Sequence, residues 1–434
     1  MFEQASFSTP NSAQADETTG RYIVTFRDNS VAEGMAVLRE EMGISRLANA
    51  ADFAGSALDL EQLDTAEGAV FPTLGVAVVS LDEEALSEVM AVAGEGSPIL
   101  DVEPERVFYT IGTELQFDYL EGYRDAVDNL FQKISTSAPS EKNGAGTLTS
   151  FADDALSTWG LKATKATTSR YTGKGVRVAV LDTGMDLRHP DFKGRSIVSK
   201  SFVPGEDVQD GNGHGTHCVG TACGGKDLNG RRYGVASEAT IYVGKVLSNA
   251  GSGYTSWILA GMEWAIVNQC QVISMSLGNS VPTSSTAYET IGRRALENGC
   301  LIVAAAGNHR QRVATPPGTV GQPANSPSIL AVGAIDSHLQ LASFSCTSGM
   351  DLGANVDIAA PGVAVYSSVP TNRGRYASFN GTSMATPHVA GIAALHAQAH
   401  DVRGALLWLY LLWTSTRMEL PSADVGSGLA QAPQ

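Results

Sequence analysis

The chain has 434 residues, of which 43% are hydrophobic, and a formal net charge of −16 at pH 7. This length predicts two domains with sizeable apolar cores, and the acidic balance argues against nucleic-acid binding, which needs a basic surface. No apolar run approaches the ~20 residues of a membrane span. The first 20 residues lack the features of a signal peptide, so the sequence as written predicts a cytoplasmic protein, whereas a chain already trimmed at its N-terminus would be a secreted one.

Charge is distributed unevenly along the chain. Residues 1–110 contain 20 acidic and 5 basic side chains, whereas residues 111–434 contain 25 and 24. This contrast predicts a domain boundary, and the polar residues 1–20 are expected to be a disordered N-terminus. Hydrophobic periodicity predicts a small α+β domain over residues 21–112. Its strands are expected at 22–26, 75–81 and 99–109, and its helices at 31–42 and 83–93.

A connecting segment follows over residues 113–150. Six apolar side chains recur there at spacings of three and four, which predicts a helix over 117–134. Residues 135–150 are rich in Ser, Gly, Thr and Ala, which is typical of a flexible linker. Because exposed connections concentrate proteolysis, self-cleavage is one expectation for this segment; the alternative is that the helix simply packs on the next domain.

Residues 151–434 alternate apolar strands with helical patterns. Near-continuous apolar strands separated by helices indicate an α/β domain, with a parallel sheet covered on both faces. Ligands bind at the carboxyl ends of such strands, where Asp182, Ser276–Gly278 and Asn308 fall. The apolar run 405–413 is predicted to be a buried helix, or else a helix at a partner or membrane surface. The strands are predicted at 176–181, 240–246, 272–277, 301–306 and 328–334.

Three polar side chains in distinctive contexts predict nucleophilic catalysis. Ser383 stands where a glycine-rich bend meets an apolar helix, a geometry that exposes a hydroxyl. Asp182 ends an apolar strand and precedes a glycine, and His214 lies between two glycines before a small-residue helix. A serine becomes a nucleophile when a base takes its proton and a third group orients the base. The expected roles are nucleophile for Ser383, base for His214 and orienting carboxylate for Asp182.

The segments around these residues resemble the signature segments of the subtilases, the subtilisin-type serine endopeptidases. The similarity runs from about Trp159 to Ala432, and the chain order Asp, His, Ser is that of subtilisin. The resemblance implies hydrolysis of peptide bonds in proteins or peptides through an acyl-enzyme, with no cofactor for catalysis. It also implies that the Asn308 side chain and the Ser383 backbone N–H form the oxyanion hole.

Substrate contacts are also implied by the resemblance. Gly321 corresponds to the floor of the first specificity pocket, where the missing side chain leaves room for a large apolar residue before the scissile bond. Thr255 replaces a bulkier aromatic residue that is often found over the fourth pocket. Two family segments bracket an extended peptide, and their counterparts here are Gly251, Ser252, Gly253, Ser276, Leu277 and Gly278.

A structural calcium site is a further implication. Asp191 matches a family position that often ligates Ca²⁺, and Asp227 and Asn229 lie in a loop that offers oxygen ligands. Arg231 and Arg232 follow directly and would place two positive charges beside the ion. The alternative is therefore a loop stabilised by arginine.

Histidine and cysteine patterns add no catalytic metal motif. His217 lies one helical turn from His214 and is expected to be structural. The five cysteines cannot all pair within one chain, and free buried thiols are predicted. A bond between Cys270 and Cys300 is the alternative, because both should begin neighbouring strands.

The N-terminal domain resembles the inhibitory propeptide domain of subtilases, a ferredoxin-like sheet with two helices on one face. This resemblance implies a latent, monomeric precursor whose propeptide blocks the cleft with its C-terminal tail and is removed by self-cleavage within about residues 109–157. Two alternatives stay open: a peptide macrocyclase or transpeptidase on the same fold, and a permanently latent binding protein. The intact catalytic side chains argue against the second.

Overall fold

The computed structural model describes residues 17–40, 42–44, 46–50, 67–111, 113–114, 150–310, 317–351 and 353–434. The predicted helix 117–134 lies outside the described residues, as does the predicted linker except for residue 150. Most of the predicted disordered N-terminus also lies outside them. Its last three residues, 18–20, already belong to the first strand.

The N-terminal domain contains five strands and two helices among its described residues. They are β1 (Thr18–Phe26), α1 (Val31–Glu40), β2 (Leu47–Asn49), β3 (Gly68–Phe71), β4 (Val76–Val79), α2 (Glu83–Val92) and β5 (Ile99–Thr110). The strands form a sheet in the order β5-β1-β4-β3-β2, antiparallel except for the pair β2 and β3. Alternation along β1 turns Val24 and Phe26 toward the two helices, whereas Ile23 packs against the second domain.

The remaining elements follow in chain order. The strands are β6 (Thr113–Glu114), β7 (Arg177–Asp182), β8 (Ile197–Ser201), β9 (Thr240–Lys245), β10 (Ser252–Tyr254), β11 (Val272–Met275), β12 (Leu277–Gly278), β13 (Leu301–Ala305), β14 (Leu330–Ile335), β15 (Ile358–Pro361), β16 (Val365–Ser368) and β17 (Tyr376–Asn380). The helices are α3 (Trp159–Ala163), α4 (His214–Cys223), α5 (Thr255–Val267), α6 (Thr286–Glu297), α7 (Thr382–His400), α8 (Gly404–Thr414) and α9 (Ser422–Val425).

Seven of these strands form a parallel sheet in the order β15-β14-β13-β11-β7-β9-β8, which confirms the predicted α/β domain. Along β7, Val178 and Val180 pack toward α4 and α7, whereas Ala179 and Leu181 pack toward α5 and α6. Both faces of the sheet are therefore covered, as its near-continuous apolar strands require. The strand predicted at 272–277 divides in two, because β11 stays in the sheet while β12 leaves it to pair with β5.

Two further differences concern short or surface elements. Strands β2 and β3 fall within residues 44–74, where no element was predicted, because each is too short to show an alternating pattern. Helix α8 was predicted to be buried, yet Leu406, Leu409 and Trp413 are 58%, 59% and 81% exposed. One face of α8 packs on α6 and α7 and the opposite face meets solvent. No helix in the described ranges combines the length and apolarity needed to cross a membrane.

Candidate active site

The carboxyl edge of the parallel sheet brings together the three residues of the predicted triad. Asp182 is the last residue of β7, His214 is the first residue of α4, and Ser383 is the second residue of α7. All three side chains are buried. The Cys218 sulfur lies 3.8 Å from His214 Nδ1 and 3.6 Å from the Ser383 carbonyl oxygen, so α4 and α7 meet directly beneath the imidazole.

Asp182 fixes the orientation of the histidine. His214 Nδ1 lies 2.8 Å from Asp182 Oδ1, which also accepts a 2.7 Å hydrogen bond from the Thr183 backbone N–H. Because the carboxylate can only accept, this contact assigns the imidazole proton to Nδ1. Nε2 is then left with its lone pair, and no described residue donates a hydrogen bond to it. This tautomer is the one that a general base needs.

The Ser383 hydroxyl is held by a backbone contact. Its Oγ donates to the Ser276 carbonyl oxygen at 3.0 Å, and the Ser276 hydroxyl in turn donates to the Ser383 carbonyl at 2.8 Å. The hydroxyl must therefore give up this contact with Ser276 before it can donate to His214. Such looser contacts between nucleophile and base are common before the reacting geometry forms.

Two histidines one turn apart have opposite electrostatic environments. Burial disfavours the charged form of His214, but the Asp182 carboxylate and the Cys218 sulfur together outweigh burial and raise the pKa of His214 well above its ordinary value of 6.5. Burial lowers the pKa of His217 to about 3. His217 Nε2 contacts the Val365 carbonyl at 2.8 Å, and its ring stacks on Phe379 with 4.3 Å between centroids. These contacts support the structural role expected for His217.

Asp210 organises the site and was missed by the sequence analysis. Its Oδ1 accepts from the Gly213 N–H at 2.7 Å and from the Thr183 hydroxyl at 2.9 Å, and its Oδ2 accepts from the Thr216 N–H at 2.8 Å. One buried carboxylate thus joins the end of β7 to the first turn of α4. The available signal was an aspartate a few residues before a helix, a common capping and turn position.

Asn308 is oriented by the same helix that carries Ser383. Its Oδ1 accepts from the Thr382 N–H and from the Thr382 hydroxyl, both at 2.9 Å. These bonds aim Nδ2 away from α7, and it donates to the carbonyl oxygen of Ile111 at 3.0 Å. An amide donor therefore already contacts a peptide carbonyl in the cleft.

Ile111 belongs to a segment that crosses the cleft in extended form. Strand β5 pairs antiparallel with β10, opposing Tyr109 to Ser252 and Phe108 to Gly253, and on its other side it pairs with β12. Thr110 N–H donates to the Gly251 carbonyl at 2.9 Å. Strand β6, which begins two residues after Ile111, pairs with β17. The cleft thus holds a chain on both sides of Ile111.

All but one of the predicted substrate-binding residues contact β5 or Ile111, and the exception is Gly321. The contacting residues are Gly251, Ser252, Gly253, Ser276, Leu277 and Gly278. A methyl group added to Gly278 would lie 2.7 Å from Ile111 Cδ1, so this glycine makes room for the Ile111 side chain. A methyl group on Gly321 would lie 2.0 Å from the Asn279 carbonyl oxygen, so the close approach of that backbone itself requires glycine.

The two aspartates among the predicted calcium ligands already have protein partners. Asp191 accepts hydrogen bonds from the hydroxyls of Tyr376 at 2.9 Å and Tyr233 at 2.8 Å. Asp227 Oδ1 accepts from the Asn229 N–H at 2.9 Å, and Arg231 Nε lies 3.4 Å from Asp227 Oδ2.

Arg231 supplies the positive charge next to Asp227. The guanidinium of Arg231 lies 3.9 Å above the ring of Tyr366, whose hydroxyl donates to Asp227 Oδ2 at 3.0 Å. Because Asp227 is paired with Arg231 and both carboxylates accept hydrogen bonds from within the chain, the two aspartates do not fit a calcium ion, and the loop matches the arginine-stabilised alternative. All five cysteines are buried free thiols, so Cys270 and Cys300 are not bonded.

Comparison with known proteins identifies the relatives of this chain. The sequence model of the subtilase family matches residues 173–418. Subtilisin NAT from Bacillus subtilis subsp. natto is 47% identical over 242 residues, which cover 55% of this chain and 60% of that relative.

Two other relatives match over larger shares of their own length. The subtilisin of Bacillus pumilus is 47% identical over 55% of this chain and 83% of its own length. Alkaline elastase YaB from Bacillus sp. (strain YaB) is 46% identical over 63% of this chain and 68% of its own length. The matched region contains the triad, Asn308 and the parallel sheet described above. The chain therefore belongs to the subtilase family.

Proposed function

We propose that the chain is the precursor of a serine endopeptidase that hydrolyses peptide bonds through Asp182, His214 and Ser383. The observation that carries this proposal is the Ile111 carbonyl, which accepts a hydrogen bond from Asn308 Nδ2 at 3.0 Å while the chain around it crosses the cleft. This contact supports the proposal because such a donor stabilises the negative charge that develops on a carbonyl oxygen when the carbonyl is attacked.

The proposed reaction uses only side chains, one backbone N–H group and water. Ser383 Oγ attacks the carbonyl carbon while His214 Nε2 takes the hydroxyl proton, and Asp182 stabilises the resulting imidazolium. The oxygen that gains negative charge is stabilised by Asn308 Nδ2 and the Ser383 N–H. His214 then gives its proton to the leaving amine, and water releases the acyl-enzyme by the reverse route. No cofactor enters these steps.

We propose that the first substrate is the chain itself, cut after Ile111. Support comes from the pairing of β5 with β10 and β12 on one side and of β6 with β17 on the other. The apolar Ile111 side chain beside Gly278 also fits a preference for large apolar residues before the scissile bond. A charged side chain there would lose its hydration without gaining a partner.

The N-terminal domain, residues 21–112, is proposed to act as an inhibitor that stays bound after cleavage. Glu263 of α5 accepts hydrogen bonds from the backbone N–H groups of Thr73 at 3.2 Å and Leu74 at 3.1 Å. Glu103 of β5 accepts from the Ser285 hydroxyl at 2.7 Å at the start of α6. Such reciprocal buried contacts, added to the pairing of β5, support a complex that outlasts the cut.

The self-cleavage proposal predicts one new N-terminus. When the purified chain is incubated, sequencing of the products is expected to give Gly112 first, because the bond after Ile111 carries the carbonyl next to Asn308. Ile111→Asp is expected to slow this first cut by about tenfold or more, since its carboxylate would be desolvated. Ile111→Leu, the matched control, is expected to keep it. A first product that begins elsewhere with unchanged kinetics in Ile111→Asp would contradict the assignment.

A second prediction concerns pH. His214 must be neutral to accept a proton, and its pKa is raised, so hydrolysis is expected to be lost as pH falls through a midpoint above 6.5. The measurement is kcat/KM of the processed enzyme on a neutral peptide from about pH 5 to about pH 9. In Asp182→Asn the residual activity is expected to show a lower midpoint, because the carboxylate that raises the pKa is gone. A wild-type midpoint below that of this variant would contradict the base assignment.

A further inference from the structure

The ladder between β5 and the second domain continues past the end of β10. Tyr254 is the last residue of β10 and pairs with Val107. The next residue, Thr255, begins helix α5, so its backbone turns away from β5. Its side chain instead reaches Arg106, which is the next residue in the register. The Thr255 hydroxyl donates to the Arg106 carbonyl oxygen at 3.0 Å and accepts from the Arg106 N–H at 3.2 Å.

One hydroxyl therefore makes both contacts that a backbone partner would make. A peptide group offers an N–H and a C=O to the opposite strand, and a hydroxyl can likewise donate one hydrogen bond and accept another. Thr255 is 1% exposed, so water does not compete for these contacts while β5 is in place. Both contacts involve main-chain atoms of Arg106 and are independent of its side chain.

We propose that the Thr255 hydroxyl is a substrate-binding group that pairs with the main chain of the sixth residue before the scissile bond. Counting back from Ile111 as the first residue, Arg106 is the sixth. The proposal rests on the proposed endopeptidase activity and adds to it that substrates extended by six residues on this side are cut more efficiently, whatever side chain the sixth residue carries. This preference for longer substrates depends on the short side chain at position 255, because its hydroxyl lies within hydrogen-bonding distance of the Arg106 main chain.

The test compares two peptides that differ in length on the processed enzyme. One is acetyl-Phe-Tyr-Thr-Ile p-nitroanilide, and the other is acetyl-Ala-Val-Phe-Tyr-Thr-Ile p-nitroanilide. The ratio of their kcat/KM values is measured for the wild type, Thr255→Val and Thr255→Ser. Valine has nearly the same shape without the hydroxyl, and serine retains the hydroxyl without the methyl group. We expect Thr255→Val to reduce the ratio by about 5- to 10-fold and Thr255→Ser to keep it.

A change in the substrate makes the test independent of folding of the variants. N-methylation of the sixth residue removes its N–H, and this is expected to slow the wild-type enzyme several-fold but not Thr255→Val. An unchanged ratio in Thr255→Val, or an N-methyl effect that is equal in both enzymes, would overturn the inference while leaving the proposed hydrolysis intact. If the wild type cut neither peptide, the proposed function itself would fall, and the inference with it.

Discussion

Ser383→Ala is expected to hydrolyse no peptide and to remain a full-length chain. The alanine has no hydroxyl to attack the Ile111 carbonyl, so neither self-cleavage nor turnover can begin. The expected loss in kcat is about 10⁶-fold, the size known for removal of the nucleophile of subtilisin. Electrophoresis of the incubated chain and a peptide assay measure both effects. Cleavage of this variant at the wild-type rate, in the absence of other proteases, would rule out Ser383 as the nucleophile.

The folding of the same variant can be checked separately. A catalytic amount of processed wild-type enzyme is added to the Ser383→Ala chain, which should resist digestion within its two folded domains because Ile111 is held in the variant's own cleft. This control separates a missing nucleophile from a misfolded cleft. If the variant were cut at many sites instead, loss of folding would explain its inactivity.

Asn308→Ala is expected to lower kcat by about 10²- to 10³-fold with little change in KM, the size known for the corresponding donor in subtilisin. The donor acts on charge that develops in the transition state, so ground-state binding through β10 and β12 is largely preserved. Steady-state kinetics on a neutral peptide measure the two constants separately. Self-cleavage is expected to slow by a similar factor.

Asn308 has a second role that a matched variant separates from the first. Its Oδ1 accepts two hydrogen bonds from Thr382, beside the nucleophile. Asn308→Asp retains an acceptor for Thr382 but loses the donor and adds a negative charge. We therefore expect Asn308→Asp to be at least as slow as Asn308→Ala. If Asn308→Asp kept nearly full activity, holding Thr382 would be the important role and the oxyanion assignment would be wrong.

The sequence predicted best those features that short segments determine. Apolar strands such as Val272–Met275 and Leu301–Ala305 could be placed from their residues alone, and the parallel sheet followed. Asp182 could be placed at a strand end because five apolar or extended residues precede it. The contact between Asp182 and His214 was expected from their roles in the predicted triad and from the resemblance to the subtilases.

Features that depend on distant partners were less predictable. Asp210 was missed because the groups that donate hydrogen bonds to it are far apart in sequence. Thr183 and Thr216, for example, come together only when α4 packs on β7. The predicted calcium site was based on the oxygen ligands of one loop. Tyr366 is more than a hundred residues away in sequence, and no sequence pattern indicated that its ring packs against the Arg231 guanidinium. Helix α8 has no charged residue to mark its solvent face, so its sequence indicated burial.

Acidic residues of the N-terminal domain illustrate the same limit. Residues 1–110 contain 20 acidic side chains, and one of them, Glu105, is fully buried and accepts from the Ser256 N–H at 2.8 Å. Glu103 likewise accepts a hydrogen bond from the backbone N–H of Thr286, the first residue of α6, at 3.1 Å. A charge count cannot distinguish a carboxylate in water from one at the first turn of a helix in another domain.

Strand β5 is both an edge strand of the N-terminal sheet and the chain that fills the cleft. Under the proposed self-cleavage, the covalent connection before the cut gives the N-terminal domain a high effective concentration at the cleft that no dilution can change. Breaking the bond after Ile111 leaves every described contact of β5 in place but turns one molecule into two. From that moment occupancy of the cleft depends on total protein concentration, and any released N-terminal domain can be digested by an enzyme that is already free. The proposed cut would thus convert an intramolecular equilibrium into a bimolecular one, and the onset of activity would accelerate itself once the first free enzyme appears.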